Sequence, residues 1–201
     1  MTEHKIFGTK YFVFKDEMYR ELRKDMIQFM YDLKDEYPDS VSKSNSGGWQ
    51  SGNFNPTFKP ALFEGAVGSH LSDFVKTSVA SITKEIFIPE ISGAWININK
   101  KDSYNEVHTH PNSSLSAVYY VKVPDGSGRL QFVDERQKQL PINHMLTEPL
   151  TSFAEYVYPW EGTLVVFSAD QPHSVETNQT EHDRISIAFN VELKLNTNGI
   201  M

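Results

Sequence analysis

The chain has no cysteine, which excludes disulfides, thiolate zinc sites, iron–sulfur clusters and thiol nucleophiles, and any metal must sit on His, Asp or Glu. No run approaches the ~18–20 apolar residues of a membrane span, and Met1-Thr2-Glu3-His4-Lys5 carries no apolar leader segment. Positive charge is scarce: the net charge is -7 and no Lys/Arg cluster stands out, so binding nucleic acid by phosphate neutralisation is not expected. No repeat of solenoid period is present. These absences point to a cytoplasmic protein, in a host's cytoplasm if virus-encoded, with neither membrane nor nucleic acid as partner.

What is present describes one domain over residues 1–201, with a helical support region at 1–90 and a β-rich core at 91–195. Residues 6–14 are aromatic and β-prone and predict a first or edge strand. Met18, Leu22, Met26, Phe29, Met30 and Leu33 then recur at helical spacing, which predicts a helix over 16–35 closed by Pro38. The polar stretch 38–60 holds Trp49, Phe54 and Phe58, as expected of a loop tacked down by its aromatics or a lid over a site. Helical spacing returns over 61–86 and stops at Pro89.

Beyond Pro89 the period becomes two. Ala94–Asn99, Leu115–Val123, 129–133, 163–168 and 184–193 read as strands, with a tight turn at 124–128 and an irregular stretch at 134–160. Helices followed by turn-linked strands predict a mostly β fold, an antiparallel sandwich with helices packed on one sheet.

His108 and His110 are two residues apart, so on a strand both imidazoles face the same side. His173, after the hydrophobic strand 163–168, offers a third ligand and would leave the opposite coordination positions open. His4, His70, His144 and His182 have no partner at ligand spacing and read as structural or solvent-facing. In the last strand Ile185, Ile187, Phe189 and Val191 share one face, and Arg184, Ser186, Ala188 and Asn190 share the other. A cation followed on its own face by small residues suits a docked carboxylate.

The order His108-Thr109-His110, Leu115-Ser116-Ala117-Val118-Tyr119-Tyr120-Val121, Gly162–Phe167, Pro172-His173 and Arg184–Asn190 resembles the iron(II)- and 2-oxoglutarate-dependent oxygenases. It is most similar to the branch related to prolyl hydroxylases in marine bacteria and phages, and Gly47-Gly48-Trp49-Gln50-Ser51 adds to the likeness. The resemblance covers about residues 90–193. It implies a double-stranded β-helix, or jelly-roll, at 91–195, with the N-terminal helices supporting one sheet.

It also implies Fe(II) on His108, His110 and His173, with no catalytic side chain beyond those ligands. 2-Oxoglutarate would be the co-substrate, its far carboxylate held by Arg184 and Tyr120, with Ser186 and Ser116 on the same lining. O2 would be consumed, succinate and CO2 released, and a peptide or small polar molecule hydroxylated. The loops 38–60 and 134–160, the latter with Phe153, Tyr156, Tyr158 and Trp160, would wall the substrate, and the reading leaves room for a homodimer.

The family's usual ligand set is His-X-Asp or His-X-Glu, whereas His110 stands at the carboxylate position. An all-histidine set leaves two readings open beside the oxygenase: a cupin-like zinc or manganese enzyme that ignores 2-oxoglutarate, and a metal-site binding module without turnover. Glu106, Asp134 and Glu176 are the unranked candidates for acceptors that would orient the ligand histidines.

Overall fold

The long strands of the second half each carry two buried faces, and this decides the layering. The computed structural model describes residues 1–6, 9–134 and 154–197. A hairpin of β1 (Thr2–Ile6) and β2 (Thr9–Lys15) precedes α1 (Tyr19–Glu36), two short strands β3 (Asn45–Ser46) and β4 (Trp49–Gln50), and α2 (Gly65–Ala80). There follow β5 (Phe87–Asn99), β6 (Tyr104–His108), β7 (Leu115–Lys122), β8 (Leu130–Val133), β9 (Ala154–Val157), β10 (Thr163–Ser168), β11 (His173–Val175) and β12 (Arg184–Leu195). The strands form a seven-stranded sheet, β1-β2-β10-β7-β12-β5-β4, and a five-stranded sheet, β3-β6-β11-β8-β9. This is the expected mostly β jelly-roll, two antiparallel sheets with helices against one of them.

On the helix side of the large sheet, Ile96, Ala117, Tyr119, Val121, Leu164, Val166, Ile185, Ile187, Phe189 and Val191 pack with Met26, Met30, Leu33, Leu71, Val75 and Val79. The alternate residues of the same strands face the small sheet, where Tyr11, Tyr120, Val165 and Phe167 meet Leu130, Phe132 and Val157. A strand buried on both faces loses the polar–apolar alternation of a surface sheet. That is why β7 and β10 read as nearly continuous hydrophobic runs. The two helices are joined to this sheet by Asp16, only 4% exposed. Its Oδ2 accepts from Tyr119 at 2.7 Å and lies 2.8 Å from His70 Nε2, and its Oδ1 accepts the Met18 amide at 2.9 Å. His70 is therefore a structural residue, as its spacing suggested.

The loop 38–60 carries a feature that its composition hides. Asn45–Ser46 pairs with Asn105 and Tyr104 at the edge of the small sheet, and Trp49–Gln50 pairs with Ile98 and Asn97 at the edge of the large one. Gly47 and Gly48 make the crossing between sheets. Gly47 has φ +77, and a Cβ on Gly48 would lie 2.9 Å from the Ile98 carbonyl oxygen, so neither position accommodates a side chain. Trp49 and Phe54 are buried while Phe58 is exposed.

Other expectations need adjusting. The first strand is a hairpin. The second helix ends at Ala80, short of 86, and Pro89 lies inside β5, opposite Leu193. Only β12 pairs with that end of β5, and a strand without a ladder on one side tolerates proline. Part of the stretch read as irregular forms β9; His144 and Phe153 lie outside the described residues.

Candidate metal centre

Three imidazoles converge at one mouth of the barrel. His108 ends β6 and His173 opens β11, and the two are register partners across the small sheet. His110 lies beyond the strand, its amide bonded to the Ala169 carbonyl at 2.8 Å. It reaches the same side as His108 through this loop contact rather than through strand alternation. The prospective ligand atoms of the three residues all lie within 4.8 Å of one another, and the Nε2 atoms of His110 and His173 are 3.2 Å apart.

The far nitrogen of each ring is fixed. His108 Nδ1 lies 2.8 Å from the Glu106 carbonyl, His110 Nδ1 2.7 Å from Asn190 Oδ1, and His173 Nδ1 2.9 Å from the Gln171 carbonyl. Each acceptor requires an N–H at Nδ1, which leaves the Nε2 lone pair aimed at the common centre. Of the three acidic candidates for this role, only Glu106 takes part, and through its backbone. Glu176 instead pairs with Arg129, and Asp134 is buried at the end of β8 outside the histidine cluster. Trp95 stacks on His110 and Phe167 meets His173 edge-on, at centroid distances of 5.2 and 4.7 Å.

Burial drives all three rings toward the neutral form that a metal requires. It lowers His108 below the ordinary histidine value, takes His110 down to about 4 and His173 to about 3, with repulsion from the neighbouring rings adding to the effect on His110 and His173. In the metal-free protein the unfolded chain therefore binds more protons than the folded one below pH ~6.5, so ∂ΔG/∂pH of unfolding is positive there. Stability should be full above that value. It should fall by about 1 kcal/mol per pH unit for each of His110 and His173 as the pH drops toward their folded values. Urea midpoints at pH 7 and pH 5 would register the fall, and a His173→Asn variant should lose part of the slope.

Behind the histidines, an inner cavity is lined by Trp95, Asn97, Tyr120, Arg184, Ser186 and Ala188 among others. Arg184 is 2% exposed. Its Nη2 donates to Asn99 Oδ1 at 3.2 Å, while Nε and Nη1 have no partner. Two unsatisfied donors on a buried cation are expensive unless an anion meets them. Burial lowers the Arg184 pKa, opposed by Tyr120, and raises the Tyr120 phenol to about 12, which keeps it a donor. Ser116, also expected here, lies on the inward face of β7 with a buried, unpartnered hydroxyl but is outside the cavity lining.

In front of the histidines an outer cavity of about 570 Å³ is walled by Val41, Lys43, Ser44, Gln50, Ser51 and Asn53 from the loop 38–60, with Glu106, Thr109 and Asn190. Tyr158 and Trp160, expected as substrate walls, instead line a groove with Pro124–Arg129. Strand pairing explains this: β9 runs from Ala154 beside Val133, near His173, to Val157 beside Leu130, away from it. Sequence reasoning missed Trp95, Asn97 and Asn99. Their signal was the alternation in 94–99, which sets them on the face opposite Ala94, Ile96 and Ile98.

Residues 93–190 match the family model described as "Putative 2OG-Fe(II) oxygenase". No curated protein matches the chain. A prolyl hydroxylase from Trichoplax adhaerens, solved with a hypoxia-inducible-factor peptide, is similar with TM-score 0.64 and 11% identity, over 90% of this chain and 83% of that one. A Pseudomonas putida prolyl-4-hydroxylase gives 0.58 and 14%, over 90% and 92%. HygX from Streptomyces hygroscopicus, solved with nickel, 2-oxoglutarate and hygromycin B, gives 0.59 and 15%, over 92% and 83%. At such identities these likenesses speak to the fold.

Proposed function

We propose that this chain, whose residues 93–190 match the 2OG-Fe(II) oxygenase model, is such an oxygenase and hydroxylates a peptidyl or small polar substrate with release of succinate and CO2. The observation that carries the reading is Arg184: a buried guanidinium with two unpartnered donors, on the cavity wall behind three convergent histidines. A cupin-like metalloenzyme without an oxo-acid co-substrate does not need that cation, and succinate release separates the oxygenase from a metal-site module without turnover.

The residues fit the cofactors. His108, His110 and His173 would hold iron(II) through their Nε2 atoms, the Nδ1 positions being occupied by their acceptors. When bound, iron(II) and 2-oxoglutarate supply, with O2, the oxidising power for the substrate C–H bond. The protein's part is placement. Arg184 and the protonated Tyr120 would clamp the distal carboxylate, with Ser186 beside them, and this aims the oxo-acid end at the histidines. Trp95, Val118 and Leu130 give the inner cavity apolar walls, and the outer cavity is where substrate would meet the site. The peptide and the hygromycin B bound in the similar structures support substrates of either kind.

The test is an anaerobic titration of metal-free protein with iron(II) and then 2-oxoglutarate, followed by succinate measurement after admission of O2. A visible charge-transfer band and succinate release support the reading. Absence of both, with tight zinc binding instead, would sink it in favour of the cupin-like alternative.

A further inference from the structure

The charges around the three histidines do not balance, and the imbalance specifies a ligand. The three candidate ligands are neutral imidazoles, and their Nδ1 partners are two backbone carbonyls and one carboxamide, with no carboxylate in that outer contact. Among the described residues lining the inner cavity there is no Asp or Glu either, while Arg184 contributes a buried cation. A divalent ion would therefore add its full charge to that of Arg184, and the dianion 2-oxoglutarate would leave one positive charge uncompensated. A carboxylate ligand in place of His110 would have cancelled it. Beside the buried Arg184 such an excess is costly, since like charges a few ångströms apart repel strongly at the reduced effective dielectric of a protein interior.

We infer that the metal-loaded site takes up a small monoanion in addition to 2-oxoglutarate, in the outer cavity beside His108 and His110; this rests on the proposed function. That cavity adjoins the inner one, sharing walls at Ser44, Trp95, His108 and His110. Its other groups suit an anion. Ser44, Asn53 and Thr109 are neutral and polar, with hydroxyl and carboxamide groups that can donate to an anion. The single acid on the lining, Glu106, is exposed, as is Lys43 on the same lining, so the two offset one another in water. The monoanion is either a carboxylate carried by the substrate or a free halide from solution.

The experiment uses cobalt(II)-loaded protein saturated with 2-oxoglutarate, titrated at constant ionic strength with sodium acetate and, separately, with sodium chloride, and reads the visible cobalt bands. A saturable change at a concentration on the order of 1–10 mM is expected, weakened at least ~10-fold in His110→Asp, which returns the missing negative charge. Asn190→Asp is the second variant. It keeps all three imidazoles, sets a carboxylate against His110 Nδ1, and should weaken the anion in the same direction. Acetate binding tighter than chloride identifies a substrate carboxylate as the source; chloride binding as tightly identifies a free halide. An oxo-acid-dependent cobalt spectrum with no saturable anion response, or equal affinity in the wild type and both variants, overturns the inference while leaving the proposed function intact. Failure to see any cobalt or 2-oxoglutarate spectrum overturns both.

Discussion

Replacing Arg184 by methionine is expected to raise the 2-oxoglutarate concentration for half-maximal succinate release by about two to three orders of magnitude, while the metal affinity of the histidines stays near the wild-type value. Removing one partner of a buried, charge-assisted carboxylate pair costs ~2–5 kcal/mol in comparable settings. The geometry adds a second, opposite expectation. In the metal-free protein Arg184 already holds two buried donors without acceptors, so the apolar variant removes an unsatisfied cation and should be at least as stable to urea as the wild type. Loss of co-substrate affinity without loss of stability is a pairing that a purely structural arginine would not give. Arg184→Lys keeps the charge but not the planar fork, and should recover only part of the affinity.

The other large effect is expected at His173. Exchange of a single group that merely orients a ligand histidine costs 10–100-fold in metal affinity. Deleting a ligand should exceed that, so His173→Ala should weaken iron(II) by more than ~100-fold and reduce succinate release to background. Asn190→Ala gives the contrast. It removes the acceptor from His110 Nδ1 while leaving three imidazoles in place, and should fall within ~10–100-fold. Isothermal titration with iron(II) under argon ranks the three proteins. Equal affinities for His173→Ala and wild type would remove His173 from the centre.

Much of this was legible because the informative residues obey a period. Arg184, Ser186, Ala188 and Asn190 share the inward face of β12 as strict alternation requires, and Ile185, Ile187 and Phe189 share the face under the helices. The histidines were legible as a set because their types and spacing suit a metal, although His110 gets there through a loop contact. What stayed hidden has a common cause. Two of the three acceptors that orient the histidines are backbone carbonyls, which have no sequence signature, and so carboxylates were proposed for the role. Two-residue strands such as β3 and β4 span a single in/out pair with no repeat, so no period can reveal them. Tyr158 and Trp160 were placed by composition alone, and the direction of β9 carries them elsewhere.

The crossing at Gly47 and Gly48 bears on how the cavity breathes. Because 45–50 belongs to both sheets, the wall that carries Gln50 and Ser51 cannot swing outward like a hinged loop. It must first surrender main-chain bonds, among them Ser51 N–Ile96 O at 3.0 Å and Phe54 N–Ala94 O at 2.7 Å. Those amides are therefore a clock. The pace at which their hydrogens trade for solvent deuterium measures how often the wall lifts, and a molecule seated against Gln50 slows it without any change in fold.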